Sequence, residues 1–249
     1  MAFFLFLFKT NLMKKQIKIL ILIASITISK QVYSQALWIF ILGDKVSTEK
    51  FQMGMNLSAA STWINQIDNS TNRITWAFGG FAEWKLNKHW SFQPEMIMKS
   101  PGGAHHLSGY ELSPPLKEED FKNIKTSIKL TYFSIPIYIK FKTKYIGFGL
   151  GPQFGLLYRA TTVFEGEEIL TGKHHEIKEN IITHTNNFDY GLSTMFEYYL
   201  VPKKGLMSMR IGIKYYYGFG DISTNNNTNK NSTLLLTFAI PVGDETKTK

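Results

Sequence analysis

The sequence predicts an all-β fold, an eight-stranded antiparallel up-and-down transmembrane β-barrel, on three observations. Eight stretches alternate apolar with small or polar residues. The gaps between them run long, short, long, short, long, short, long. A cleavable export signal stands in front of them. Together these place the chain in a bacterial outer membrane without saying what it does there.

The clearest strand is Met207–Tyr217. Its odd positions are Met207, Met209, Ile211, Ile213, Tyr215 and Tyr217, and its even ones are Ser208, Arg210, Gly212, Lys214 and Tyr216. Side chains alternate between the faces of a strand, so one face is wholly apolar and the other carries charge. Leu234–Val242, Phe51–Ala59 and Phe188–Leu200 repeat the pattern. Trp76–Leu86, Trp90–Met98, Phe133–Phe141 and Ile146–Tyr158 complete the eight. No apolar-parity position in the set is charged, although 19% of the chain is. Each segment covers the roughly 9–11 residues that cross a bilayer at a tilt. Lipid cannot satisfy a free sheet edge, so such strands must close into a barrel.

Residues 1–34 read as a signal peptide. Lys14, Lys15 and Lys18 form its charged region, Ile19–Ile28 its apolar core and Val32-Tyr33-Ser34 its small-residue cleavage site. The true start is expected at Met13 and the mature N-terminus at Gln35. Residues 35–50 form a lead segment, 51–242 the barrel and 243–249 a periplasmic tail. Removing the five lysines Lys9, Lys14, Lys15, Lys18 and Lys30 with the signal lowers the formal charge from +9 to +4. That modest value, with no basic stripe, argues against nucleic-acid binding. The mean hydropathy of −0.12 fits a barrel, which averages an oily face with a polar one. The absence of cysteine excludes disulfides.

The gaps predict sidedness. Asn87–His89, Thr143–Lys144 and Val201–Gly205 are tight turns, whereas Ala60–Thr75, Lys99–Tyr132, Arg159–Asn187 and Gly218–Thr233 are long and polar. Outer-membrane barrels keep short turns in the periplasm and long loops outside, and an even strand count returns both termini to the periplasm. Pro101–Asp120, in the longest gap, is expected to be mobile. Two aromatic girdles follow from rings near strand ends on the lipid parity: Trp84, Trp90, Phe141 and Tyr198 on the periplasmic side, Trp76, Tyr158, Tyr190 and Tyr217 on the outer one. A soluble lipocalin-like carrier would invert the faces, but here the polar parity is rich in glycine, which suits a crowded lumen better than a solvated exterior.

The inward parity collects Glu83, Lys85, Glu95, Lys99, Lys140, Asp189, Glu197, Arg210 and Lys214, with Arg159 at the outer rim. Eight strands leave little more room than their own side chains need, so these charges must pair. The expectation is a charge network that plugs the lumen, with Arg210 and Lys214 meeting Glu83, Glu95 or Glu197. The competing reading is a small pore or transporter for ions or small solutes. His105, His106, His174 and His175 are weak metal candidates, because adjacent residues of an extended chain point opposite ways and one pair seldom chelates alone. No cofactor and no enzymatic activity are expected: no lipid-parity position is histidine, and no Gly-x-Ser-x-Gly elbow occurs. The expected surroundings are outer-membrane lipid around a monomer, with any protein partner at the external loops or the periplasmic side.

Four segments carry a family resemblance: ALWIFILGDKV (Ala36–Val46), SIPIYIKFK (Ser134–Lys142), IGFGLGPQFGLLY (Ile146–Tyr158) and FDYGLSTMFEYYL (Phe188–Leu200). Through them the chain, from about Ala36 to Val242, resembles the PorT-like group of outer-membrane β-barrel proteins. The resemblance implies an eight-stranded outer-membrane barrel, and in its founding member an association with type IX secretion and gliding. It assigns no functional residue, because the shared motifs are barrel-building ones. Gly243–Lys249 departs from the terminal aromatic on which such barrels often end.

Overall fold

The computed structural model describes residues 48, 50–65, 70–106, 118–200, 209–224 and 229–242. The signal segment, the lead segment apart from residues 48 and 50, the Val201–Gly205 turn and the 243–249 tail lie outside these residues. Nine strands follow in order: β1 (Phe51–Asn65), β2 (Arg73–Lys85), β3 (Trp90–His105), β4 (Phe121–Lys142), β5 (Ile146–Glu168), β6 (His174–Asn180), β7 (Phe188–Tyr199), β8 (Arg210–Asp221) and β9 (Lys230–Val242). Their antiparallel order is β4-β3-β2-β1-β9-β8-β7-β5, and pairing of β4 with β5 closes an eight-membered ring. No helix among the described residues is long and apolar enough to cross a membrane; the strands make the wall.

The registers explain which way each side chain faces. In β1 the even residues Gln52, Gly54, Asn56, Ser58 and Ala60 are buried while the odd ones face out. In β8 the odd residues Ile211, Ile213 and Tyr217 are exposed and Arg210, Gly212, Lys214 and Tyr216 are buried. The exposed set is oily: Phe148, Leu150, Phe154 and Leu156 on β5, Leu234, Leu236 and Phe238 on β9. A soluble monomer does not carry an apolar belt of that extent, and a bilayer covers it. All eight predicted girdle aromatics lie on this surface, between 37% and 52% exposed. They pair with neighbours there, Trp90 with Phe141 at 5.3 Å and Trp84 with Phe51 at 4.6 Å between centroids.

The strands run further than the alternation indicates. β4 and β5 have 22 and 23 residues, about twice what a membrane crossing requires. Their outer halves continue the ladder through Thr126–Phe164 and Phe121–Glu168. β6 pairs with β5 over Thr161–Glu167, and β7 pairs with the same strand over Ile146–Leu156. Thus β6 and β7 are one interrupted strand, and a three-stranded sheet of β4, β5 and β6 stands at the end of the barrel away from the tight turns. Much of the expected loop Arg159–Asn187 is therefore sheet. Pro101–His105, expected to be mobile, belongs to β3, and Pro101–Ala104 are buried.

Candidate functional site in the barrel lumen

The lumen is filled in layers. Nearest the tight turns, Glu83 on β2 receives three cations: Lys140 Nζ at 3.0 Å, Lys142 Nζ at 3.1 Å and Arg210 Nη1 at 2.8 Å. Glu197 on β7 is 3.1 Å from Lys140 and 3.6 Å from Arg210. Arg210 Nη2 donates to Gln52 Oε1 at 2.6 Å, and its guanidinium lies 4.9 Å from the Phe81 ring centroid and 5.2 Å from that of Tyr199. Gln93 Oε1 accepts from Lys140 and, at 3.5 Å, from Arg210. Gln93 Nε2 then donates to Glu95 at 2.8 Å, which also holds Lys214 and accepts from Asn56 at 3.1 Å. Alternate positions on five strands thus project into one network of four bases and three acids, and Lys142 alone among them keeps appreciable solvent exposure.

Above the network, Tyr138 hydroxyl and Ser193 share a hydrogen bond of 2.7 Å, and Ala60, Ala77, Ile97 and Leu235 form an apolar layer. The next layer is a strap. Pro101–Ala104 of β3 turn inward, so that Thr62 donates to Gly103 O at 2.7 Å and Thr233 donates to Pro101 O at 3.3 Å. Gly103 has φ +96°, and a Cβ there would meet Ile128 O at 2.0 Å, so glycine is required. Asn231 ties the strap to the wall, accepting from Gly103 N and donating to Tyr132 hydroxyl at 2.9 Å and Asp189 at 3.2 Å. Ile64, Ala104, Leu130, Leu157, Ala160 and Ile222 close the far end.

The predicted inward charges divide. Glu83, Glu95, Lys140, Glu197, Arg210 and Lys214 come together. Asp189 is buried but lies eight residues before Glu197 on β7, roughly 27 Å away at strand rise, and meets Asn231 instead. Lys85 sits half-buried at the tight-turn rim. Two expectations are corrected by bulges, each of which resets the two-residue period. A register shift between Ile97 and Ser100 turns Ser100 inward and puts Lys99 outside, its Nζ 3.3 Å from the Trp76 ring centroid. A shift between Thr131 and Tyr132 opposite Tyr158 leaves both Tyr158 and Arg159 exposed. Sequence reasoning also missed Lys142, one residue past the expected strand end, and the neutral links Gln52, Gln93 and Asn56. Their inward parity was the available signal.

The four weak metal candidates do not converge. Among the described residues no cluster of three or more histidine and carboxylate side chains could hold an ion. His106 Nδ1 bonds Thr71 Oγ1 at 2.7 Å, while His175 lies 3.4 Å from Glu168 and edge-on to Phe121. Burial, reinforced by Arg73, pushes the His105 imidazole below its ordinary value.

A closed antiparallel ring with an oily exterior and a packed polar interior defines a membrane β-barrel. The chain belongs to the outer membrane protein beta-barrel domain family, whose model matches residues 49–224, and this places it in the bacterial outer membrane. No curated protein matches it. Among solved structures, the attachment invasion locus protein Ail of Yersinia pestis, in complex with the heparin analogue sucrose octasulfate, is similar at 14% identity. That match has a TM-score of 0.41 and covers 77% of this chain and 99% of Ail. Neisserial surface protein A gives 14%, 0.37, 77% and 96% in the same order. The Escherichia coli outer membrane protease OmpT gives 10%, 0.31, 79% and 97%.

Proposed function

We propose that the protein is a plugged, non-catalytic barrel with a structural or interaction role, carrying the β4–β5–β6 sheet to the cell exterior. The observation that supports this best is the buried network around Glu83. It joins five strands across the lumen with side chains at 0–3% exposure, Lys142 excepted. Charges so paired hold the wall closed, because parting them leaves each ion buried and uncompensated. The apolar layer and the glycine strap block the path again further along.

In this reading the tight-turn end and both termini face the periplasm. The hairpin between β5 and β6 then carries Ile169 and Leu170, the latter 90% exposed, to the outermost point. Such a stiff sheet suits contact with another protein better than solute passage. The resemblance to the PorT-like group supports a place beside secretion or gliding machinery.

Because the chain has no cysteine, single substitutions report sidedness directly. Leu170→Cys is expected to react with a bulky, membrane-impermeant maleimide on intact cells. Lys144→Cys, in the turn between β4 and β5, is expected to react only after the outer membrane is permeabilised. The reverse pattern would invert the barrel and end this reading.

A further inference from the structure

The wall has a seam. β2 and β3 pair from Lys85–Ser91 up to Phe78–Lys99, and the next backbone pairing to β3 on that side is the isolated bridge of Thr71, just before β2, with His105. Between these points β3 pairs with β4 on its other side but has left β2, because its Pro101–Ala104 strap turns into the lumen. The carbonyl of Gly102 is met across the gap by Arg73 Nη2 at 2.8 Å instead of by a strand neighbour. Arg73 Nε is buried and has no partner among the described residues.

On the outside of the same seam the bulge sets Lys99 over Trp76, at the level of the girdle formed by Trp76, Tyr158, Tyr190 and Tyr217. Tyr158 hydroxyl caps the neighbouring Met98 carbonyl at 3.2 Å. Lys99 and Arg73 are close enough for their charges to oppose one another. Among the described residues neither forms an ion pair with a carboxylate. Two like charges beside an oily wall raise each other's free energy, and an anion between them lowers it. Anionic headgroups supply that charge where an aromatic girdle meets the bilayer surface.

We propose that this seam is a binding site for the phosphate-bearing headgroup of an anionic membrane lipid, and, on the sidedness proposed above, one of the outer leaflet. Lys99 makes the direct contact, Trp76 packs against the lipid's apolar part, and Arg73 behind the seam adds positive potential.

Native mass spectrometry of the purified barrel in detergent tests this, with phosphatidylglycerol and phosphatidylcholine as probes. The parent protein is expected to retain phosphatidylglycerol in preference to phosphatidylcholine. Lys99→Gln should lower that retention roughly tenfold, on the scale of one charge-assisted hydrogen bond. Lys99→Arg should keep it, and Lys144→Gln at the opposite rim should leave it unchanged. Heat-modified gel mobility confirms that each variant is folded. Equal retention by Lys99→Gln and the parent, or displacement of the lipid by millimolar inorganic phosphate, would overturn the proposal. Loss of labelling asymmetry at Leu170 and Lys144 would instead overturn the sidedness while leaving lipid retention intact.

Discussion

Replacing Arg210 with methionine should lower the unfolding free energy of the barrel by about 3 kcal/mol, the lower end of the roughly 3–5 kcal/mol found when a buried ion pair is broken. The guanidinium is 1% exposed and touches Glu83, Glu197, Gln52 and Gln93 at once. Methionine fills much of the space between Phe81 and Tyr199 but supplies no charge. Glu83 keeps Lys140 and Lys142, which is why the expected loss is not larger. Adding Glu83→Gln should deepen the loss, because Lys142 then has no carboxylate partner among the described residues and Lys140 only Glu197, though the two effects need not add in so coupled a network. Urea unfolding in lipid vesicles, followed by tryptophan fluorescence and gel mobility, measures both. An unchanged midpoint for Arg210→Met would show that the network does not brace the wall.

A charge on the lipid face should act by depth. Ile213 pairs with Phe196 and Leu236, midway between the two girdles, whereas Ile211 is level with the girdle residue Tyr198. Ile213→Arg is therefore expected to cost about 2–4 kcal/mol and Ile211→Arg about 0–1 kcal/mol, following the depth dependence measured in such barrels. The sequence alone points to Ile211 as the mid-membrane residue, because its strand is read from Met207. With β8 starting at Arg210, the midpoint moves outward along the strand. Equal costs at the two positions, in the same vesicle assay, would contradict this placement of the membrane.

The ring was legible in the sequence because each wall residue meets one of two opposite solvents, and that contrast writes itself with a period of two. Where neither solvent is oil, the signal fades. The outer halves of β4 and β5 carry charge and hydroxyls on both faces, so FKNIKTSIK and RATTVFEGEE resemble loops although their backbones pair along most of their length. The charge network was legible as a set of inward positions, but its extent was not: Lys142 lay just beyond the last alternating residue. The bulges were invisible for a stricter reason. One inserted residue inverts all later parity, and nothing in MKSPGG marks where the inversion falls, so Lys99 was expected inside and stands outside. The strap at Pro101–Ala104 resembled a flexible turn because glycine serves both purposes. The facing side chains of Thr62, Asn231 and Thr233, far away in sequence, decide between them.

The closed lumen is tested most directly by planar-bilayer recording of the purified, folded barrel. With the Glu83 network, the Ala60–Leu235 layer and the Gly103 strap in place, no steady conductance should rise above the bilayer baseline. Arg210→Met with Gly103 intact should remain silent as well, because the strap closes the path independently. Stable ohmic steps from the parent protein, reproducible across insertions, would contradict the closed barrel and make the pore the better account.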